Sequence, residues 1–127
     1  MSIQINKEEN KIISIQDVDF TYLQKSSTAV LRFILANAKN GDVNSIMNFK
    51  DLSTEDNIDF LITVAKEYMV DWNGITFKET DEPVLFDKDY VQNLPIDVLA
   101  EFAMGVMMPA LDGALVENEK EDEEVKN

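Results

Sequence analysis

Apolar and polar residues alternate at two places near the start of the chain: Ile3 and Ile5, then Ile13 and Ile15, on either side of the polar run 6–10. Period-two alternation around turn-forming residues predicts a β-hairpin with its turn at Asn6–Asn10. A lone hairpin is marginal in water, so it is expected to pack on a helix. The period then lengthens. Val30, Leu31, Ile34, Leu35 and Ala38 recur at helical spacing, behind the cap candidates Ser26, Ser27 and Thr28 and ahead of Asn40-Gly41. This predicts a helix over 28–40. The stretch 43–49, with Ile46, Met47 and Phe49, predicts a short helical turn leading out of it.

A second long helix is expected after Ser53 or Thr54 as cap, with Glu55 and Asp56 in the first turn where the helix dipole favours acids. Its buried stripe is Ile58, Leu61, Ile62, Ala65 and Tyr68 or Met69, widened by Phe60 and Val64. Asn73-Gly74 is a turn signal just past its end. From residue 71 to 87 periodicity is lost, which is long for a loop in a compact domain. Trp72, Ile75, Phe77, Val84 and Phe86 are expected to pin that loop to the core. Asp87-Lys88-Asp89 opens a short helix ending near Asn93-Leu94, and Pro95 begins a last helix carrying Val98, Leu99, Phe102, Ala103, Val106 and Met107. Pro109 is expected to end or kink it, because its ring clashes with the carbonyl of Gly105.

The fold class expected is mainly α within the α+β class: an N-terminal β-hairpin packed on a bundle of about four helices. Residues 1–116 read as one globular domain, since 127 residues suffice for one domain and 45% of them are apolar. Residues 117–127 carry six acids, two lysines and one apolar residue, Val125. Such a segment cannot bury enough surface to fold alone and reads as a disordered acidic tail.

Composition narrows the chemistry. Cysteine and histidine are both absent, which removes disulfides, thiolate ligands, the cysteine nucleophile and the usual general base near neutral pH. The pairs Asp17/Asp19 and Asp87/Asp89 lack the Gly-containing twelve-residue frame of an EF-hand, and caps and solvated loops account for them better. There is no Gly-rich phosphate loop, nucleophile elbow or metalloprotease signature. The expectation is a protein that is not an enzyme and takes no cofactor or metal. The formal charge of −14 disfavours nucleic acid and anionic membranes as partners. The N-terminal residues do not resemble a signal peptide and no stretch reaches the length of a membrane span, so a cytoplasmic location is expected.

The stretch 103–111 is apolar around most of the helix circumference and carries Met104, Met107, Met108 and Leu111. A helix of this kind is either central to the monomer or buried in a partner or in self-association.

The segment 68–76, with Trp72 and Gly74, leads to an acidic loop, to Glu82-Pro83-Val84-Leu85-Phe86 and to Leu94-Pro95 before a helix. This order resembles the tail assembly chaperones of long-tailed, siphovirus-type bacteriophages over roughly residues 54–111. The chain departs from the family in having Glu82-Pro83 where a Gly-Glu-Pro-like turn is more usual. The resemblance implies a phage or prophage assembly factor in the bacterial host cytoplasm. Its partners would be the tape measure protein, which it keeps soluble, and the tail tube protein, recruited in that family through a frameshifted extension. Trp72, Met104, Met107, Met108 and Leu111 are the residues expected to meet a partner. The rival expectations are a head–tail connector or tail-completion protein, and an acidic inhibitor of a host protein.

Overall fold

The computed structural model describes residues 8–37 and 55–110, with Glu55 and Asp56 described as backbone only. It is a mixed α+β fold: a three-stranded antiparallel sheet in the order β1-β2-β3, covered by helices. β1 is Glu9–Ile15 and β2 is Val18–Gln24, joined by a two-residue turn at Gln16 and Asp17 that pairs Ile15 with Val18. The hairpin therefore lies later in the chain than the expected one. Glu9 and Asn10, read as turn residues, belong to β1, and Ile3 and Ile5 fall outside the described residues. The physical reason is the turn's backbone. Gln16 and Asp17 both have positive φ, 50° and 65°, the geometry that matches strand twist in a two-residue hairpin.

Helix α1 is Ser27–Asn37, and the backbone N–H of Ala29 donates to Ser26 Oγ at 3.2 Å, so Ser26 is the cap. The expected extension to 40, the turn over 43–49 and the caps Ser53 and Thr54 lie outside the described residues. Helix α2, Glu55–Tyr68, buries Phe60, Leu61, Val64, Ala65 and Tyr68, while Ile62 is only partly buried. It runs into β3, Met69–Asn73, with no loop between them. Strand β3 stands where the sequence was read as the end of the helix, at Met69, and the start of the aperiodic loop, from Asp71. It pairs Asp71 with Thr21 and Met69 with Tyr22, leaving Val70 as the extra residue of a bulge. A bulge interrupts the alternation of faces. Met69 and Trp72, three apart, are thereby both buried, while Val70 and Asp71 are exposed.

A 3-10 helix at Lys88–Asn93 packs on α2, and Asp87 caps it by accepting from the Asp89 N–H at 2.9 Å. Helix α3 covers residues 96–110. It buries Val98, Leu99, Ala100, Phe102, Ala103, Val106 and Met107 and exposes a stripe at Asp97, Glu101 and Met104. It is helical through Pro109 to the last described residue, so the proline does not end it there. Phe102 packs edge-on against Phe20 and Tyr22, and Ile13 sits against Gly105. Gln16 Nε2 donates to Asp97 Oδ2 at 3.0 Å. These contacts fix the direction of α3, which starts beside the hairpin turn and travels toward the hairpin's open end.

The core joins the inner face of the sheet (Ile15, Phe20, Met69, Trp72) to α1 through Val30 and Ile34, to α2, and to α3. No polar or charged residue is buried among the described residues. No described helix is long and apolar enough to cross a membrane.

Candidate functional site

Beyond β3 the chain forms a short arm whose geometry depends on Trp72. Gly74 adopts φ +108°, a conformation that L side chains rarely adopt, and turns the chain out of β3. Residues 75–84 then fold back on themselves. The Val84 N–H donates to the Ile75 carbonyl and the Phe77 N–H to the Glu82 carbonyl, each at 2.9 Å, around a bridge between Thr76 and Pro83. Thr76 and Pro83 exchange no hydrogen bonds in that pattern, so the missing N–H of Pro83 leaves nothing unpaired. The tip closes through the Asp81 N–H and the Phe77 carbonyl, 2.8 Å apart.

Trp72 ties this arm to the sheet. Its indole Nε1 donates to the Val84 carbonyl at 2.8 Å, and its ring meets Phe86 edge-on at 4.9 Å. Val84 and Phe86 are thereby half-buried, and Leu85 between them points away and is 85% exposed. Phe77 and Tyr90 contact each other at 6.1 Å and are 42% and 39% exposed. A cleft of about 180 Å³ lies beside them, lined in part by Trp72, Ile75, Val84 and Leu94. Glu79, Asp81, Glu82, Asp87 and Asp89 surround the arm, against Lys78 and Lys88. The arm offers apolar side chains within an acidic rim, held by a buried tryptophan.

Of the five residues singled out by sequence, the four that are described are not brought to one surface. Trp72 is 6% exposed and Met107 is fully buried, so both belong to the interior. Met104 lies on the solvent stripe of α3 at 41% exposure, and Met108 is partly buried. Leu111 lies outside the described residues. Trp72 contributes to the site from beneath, by placing Val84 and Phe86. The side chains it leaves outside, Phe77, Leu85 and Tyr90, were not singled out as partner-binding. The signal for Leu85 was present as the alternation Val84-Leu85-Phe86, which puts the middle residue on the opposite face from its neighbours.

Among titratable groups Tyr68 stands apart. Burial, and secondarily the neighbouring Glu67 carboxylate, push its phenol up to about 12. Its hydroxyl has no hydrogen-bond partner among the described residues. The aspartate pairs have local roles: Asp19 accepts from the Ser14 hydroxyl, Asp17 sits in the hairpin turn, and Asp87 caps the 3-10 helix. Among the described residues no group of three or more acidic side chains is placed to hold a metal ion. Compared with known protein families, with curated proteins and with solved structures, the chain matches none.

Proposed function

We propose that this protein is a non-catalytic assembly chaperone of a phage tail, which binds an apolar, helix-forming client and keeps it dispersed until the tail tube forms around it. The tape measure protein is the client that the sequence resemblance implies, and the tube protein the competitor that would release it. The observation that carries the reading is the arm: Phe77 and Tyr90 exposed in contact with each other, and Leu85 almost fully exposed, on a scaffold anchored by Trp72. This is the same segment, Trp72 to Leu94, on which the resemblance rests. Phe77 and Tyr90, in contact beside a cleft lined by Trp72, Ile75 and Val84, form a small contiguous apolar patch of the kind that marks an interaction surface, and Leu85 adds a further exposed side chain on the same arm. The acidic rim favours a client with basic residues flanking its apolar face. Met104 on α3 offers a second, adaptable contact. The finer architecture, a bundle of about four helices ending in an acidic tail, belongs to the same proposal.

Co-expression tests it. A tape measure protein that is insoluble alone is expected in the soluble fraction with the wild-type chain and not with Leu85→Glu. A client that stays insoluble with the wild type would sink the reading. Mass spectrometry of purified virions separates the chaperone from a head–tail connector or tail-completion protein, because a chaperone is absent from the finished particle.

A further inference from the structure

Away from the arm, Lys25 and Arg32 line an open cleft of about 410 Å³ that runs along α1 and meets the C-terminal end of α2. Arg32 is the only arginine in the chain, and it makes no ion pair among the described residues. The Lys25 ammonium lies 2.8 Å from Glu67 Oε1 and 5.2 Å from the centre of the Tyr68 ring. Ala29, Phe33 and Ala36 supply apolar wall. The cleft is thus apolar inside, with the Lys25–Glu67 pair and the exposed Arg32 at its edge, a net positive charge in a chain of net charge −14.

We infer that this cleft docks the chain's own acidic C-terminal segment, with Leu115 and Val116 against its apolar wall and Glu117 and Glu119 at Arg32 and Lys25. Three observations converge on that occupant. The first is complementarity. Residues 114–119, Ala-Leu-Val-Glu-Asn-Glu, place apolar side chains immediately before the first acids, the same combination as the cleft. Arg32 pairs carboxylates through a planar fork of donors. The second is direction. Helix α3 begins beside Gln16 and passes Ile13 at Gly105, so residue 110 heads for the open end of the hairpin, from which Lys25 emerges. The third is reach. Phe20 pairs with Ile13 and so is level with Gly105, and Lys25, just past the end of β2, lies five residues beyond it, or about 17 Å at the usual rise. The helix from 105 to 110 advances about 7.5 Å of that. Residues 111–116 span up to roughly 20 Å extended, enough for the remainder and a lateral step.

Tethering makes weak attraction sufficient. A short flexible linker holds its ligand at an effective concentration on the order of millimolar. With a net charge of −14 the molecule repels an acidic segment on average, and Arg32 offers it a cation with no ion pair among the described residues. The contact is electrostatic and part-exposed, so salt at about 0.5 M, where screening acts within a few ångströms, releases it. The inference does not rest on the chaperone reading, and a virion protein would carry the same contact.

The chain has no cysteine, so Lys120→Cys in the full-length protein accepts a single nitroxide label. In low salt, the amide NMR signals of residues 27–33 and 67–68 are expected to lose most of their intensity relative to the reduced label. Those of Gln16 and Asp17, at the far end of the hairpin, are expected to keep theirs. Adding salt, or introducing Arg32→Gln on the exposed cleft edge, is expected to restore the lost signals while the rest of the spectrum stays unchanged; Lys25→Gln, which also breaks the half-buried pair with Glu67, is expected to restore those of residues 27–33. Losses centred elsewhere, spread evenly, or persisting in both variants would overturn the inference. So would losses that appear only on unlabelled-tail molecules mixed with nitroxide-bearing ones, because the segment would then dock on a second copy.

Discussion

Trp72→Phe keeps an aromatic ring beneath the arm but removes the donor to the Val84 carbonyl and part of the buried volume. The cost is expected at about 2 kcal/mol, read as a lower urea midpoint with unchanged slope. Protease cutting within residues 76–83 should rise more than global unfolding does, because the arm loses its tie first. Leu85→Glu should behave in the opposite way. It removes almost no buried surface, so stability stays within about 0.5 kcal/mol while client solubilisation is lost. Tyr68 gives a third test, in pH. Its phenol is raised above the ordinary value of 10.0 to about 12. Both folded and unfolded forms are protonated below pH 10, where this group's contribution is fully present. It is lost as pH rises through 12, since the unfolded chain releases the proton first. Tyr68→Phe also removes a buried hydroxyl that has no partner among the described residues. The variant is expected to be about 1 kcal/mol more stable at pH 8, and its lead should widen between pH 10 and 12 in urea titrations run side by side.

At the scale of elements, the hairpin turn is the place where the backbone is least at ease. Gln16 and Asp17 both occupy the left-handed region, which costs a non-glycine residue roughly 1–2 kcal/mol, less for Asp, whose side chain bonds locally. Asp17→Gly is therefore expected to raise stability by about 0.5–1 kcal/mol, measured as a higher midpoint, with the pairing of Ile15 and Val18 retained by NMR. The same turn explains what the sequence concealed. Gln-Asp carries none of the Asn-Gly signature of a two-residue hairpin, whereas the polar run 6–10 looked like a turn and in part is strand. Strand β3 was hidden for a different reason. Its bulge at Val70 puts Met69 and Trp72 on one face at a spacing of three, which reads as a continuation of α2 rather than as alternation. The helices were legible because long amphipathic periodicity survives local irregularity: the Ser26 cap and the buried face of α3 stand where the pattern placed them, and so do Leu61, Ala65 and Tyr68 of α2, while Ile58 and Ile62 are only partly buried and Phe60 and Val64 take the core. The candidate site was legible as a segment but not as a surface. Trp72 was expected to pin the aperiodic stretch to the core, and it is buried there, but Phe77, expected to pin it too, is 42% exposed, because only the side chains that meet the Trp72 ring and the sheet are drawn inward.

For the whole molecule, charge and apolar display are two halves of one arrangement, and they separate kinetically. On the proposed reading, the −14 charge keeps the chaperone and its client dispersed, while the arm holds the client. Long-range attraction between an acidic protein and a basic-flanked client governs encounter, and desolvated apolar contacts govern escape. Stopped-flow binding at rising ionic strength is accordingly expected to show association slowing by tenfold or more with dissociation nearly constant. Leu85→Glu should instead speed dissociation and leave the salt dependence of association in place. A salt effect confined to dissociation would mean that charge pairs, not the arm, hold the client. The charge itself can be titrated away. With a sequence pI near 4.1, repulsion between molecules vanishes as pH falls toward that value, while the exposed Ile12, Leu35, Phe77 and Leu85 remain. Static light scattering at fixed concentration should therefore show reversible self-association that sets in as pH approaches 4.1, and later in Leu85→Glu than in the wild type. If both proteins associate at the same pH and to the same extent, the arm is not the sticky surface, and the apolar half of the arrangement must be sought on α1 or on the outer face of the sheet.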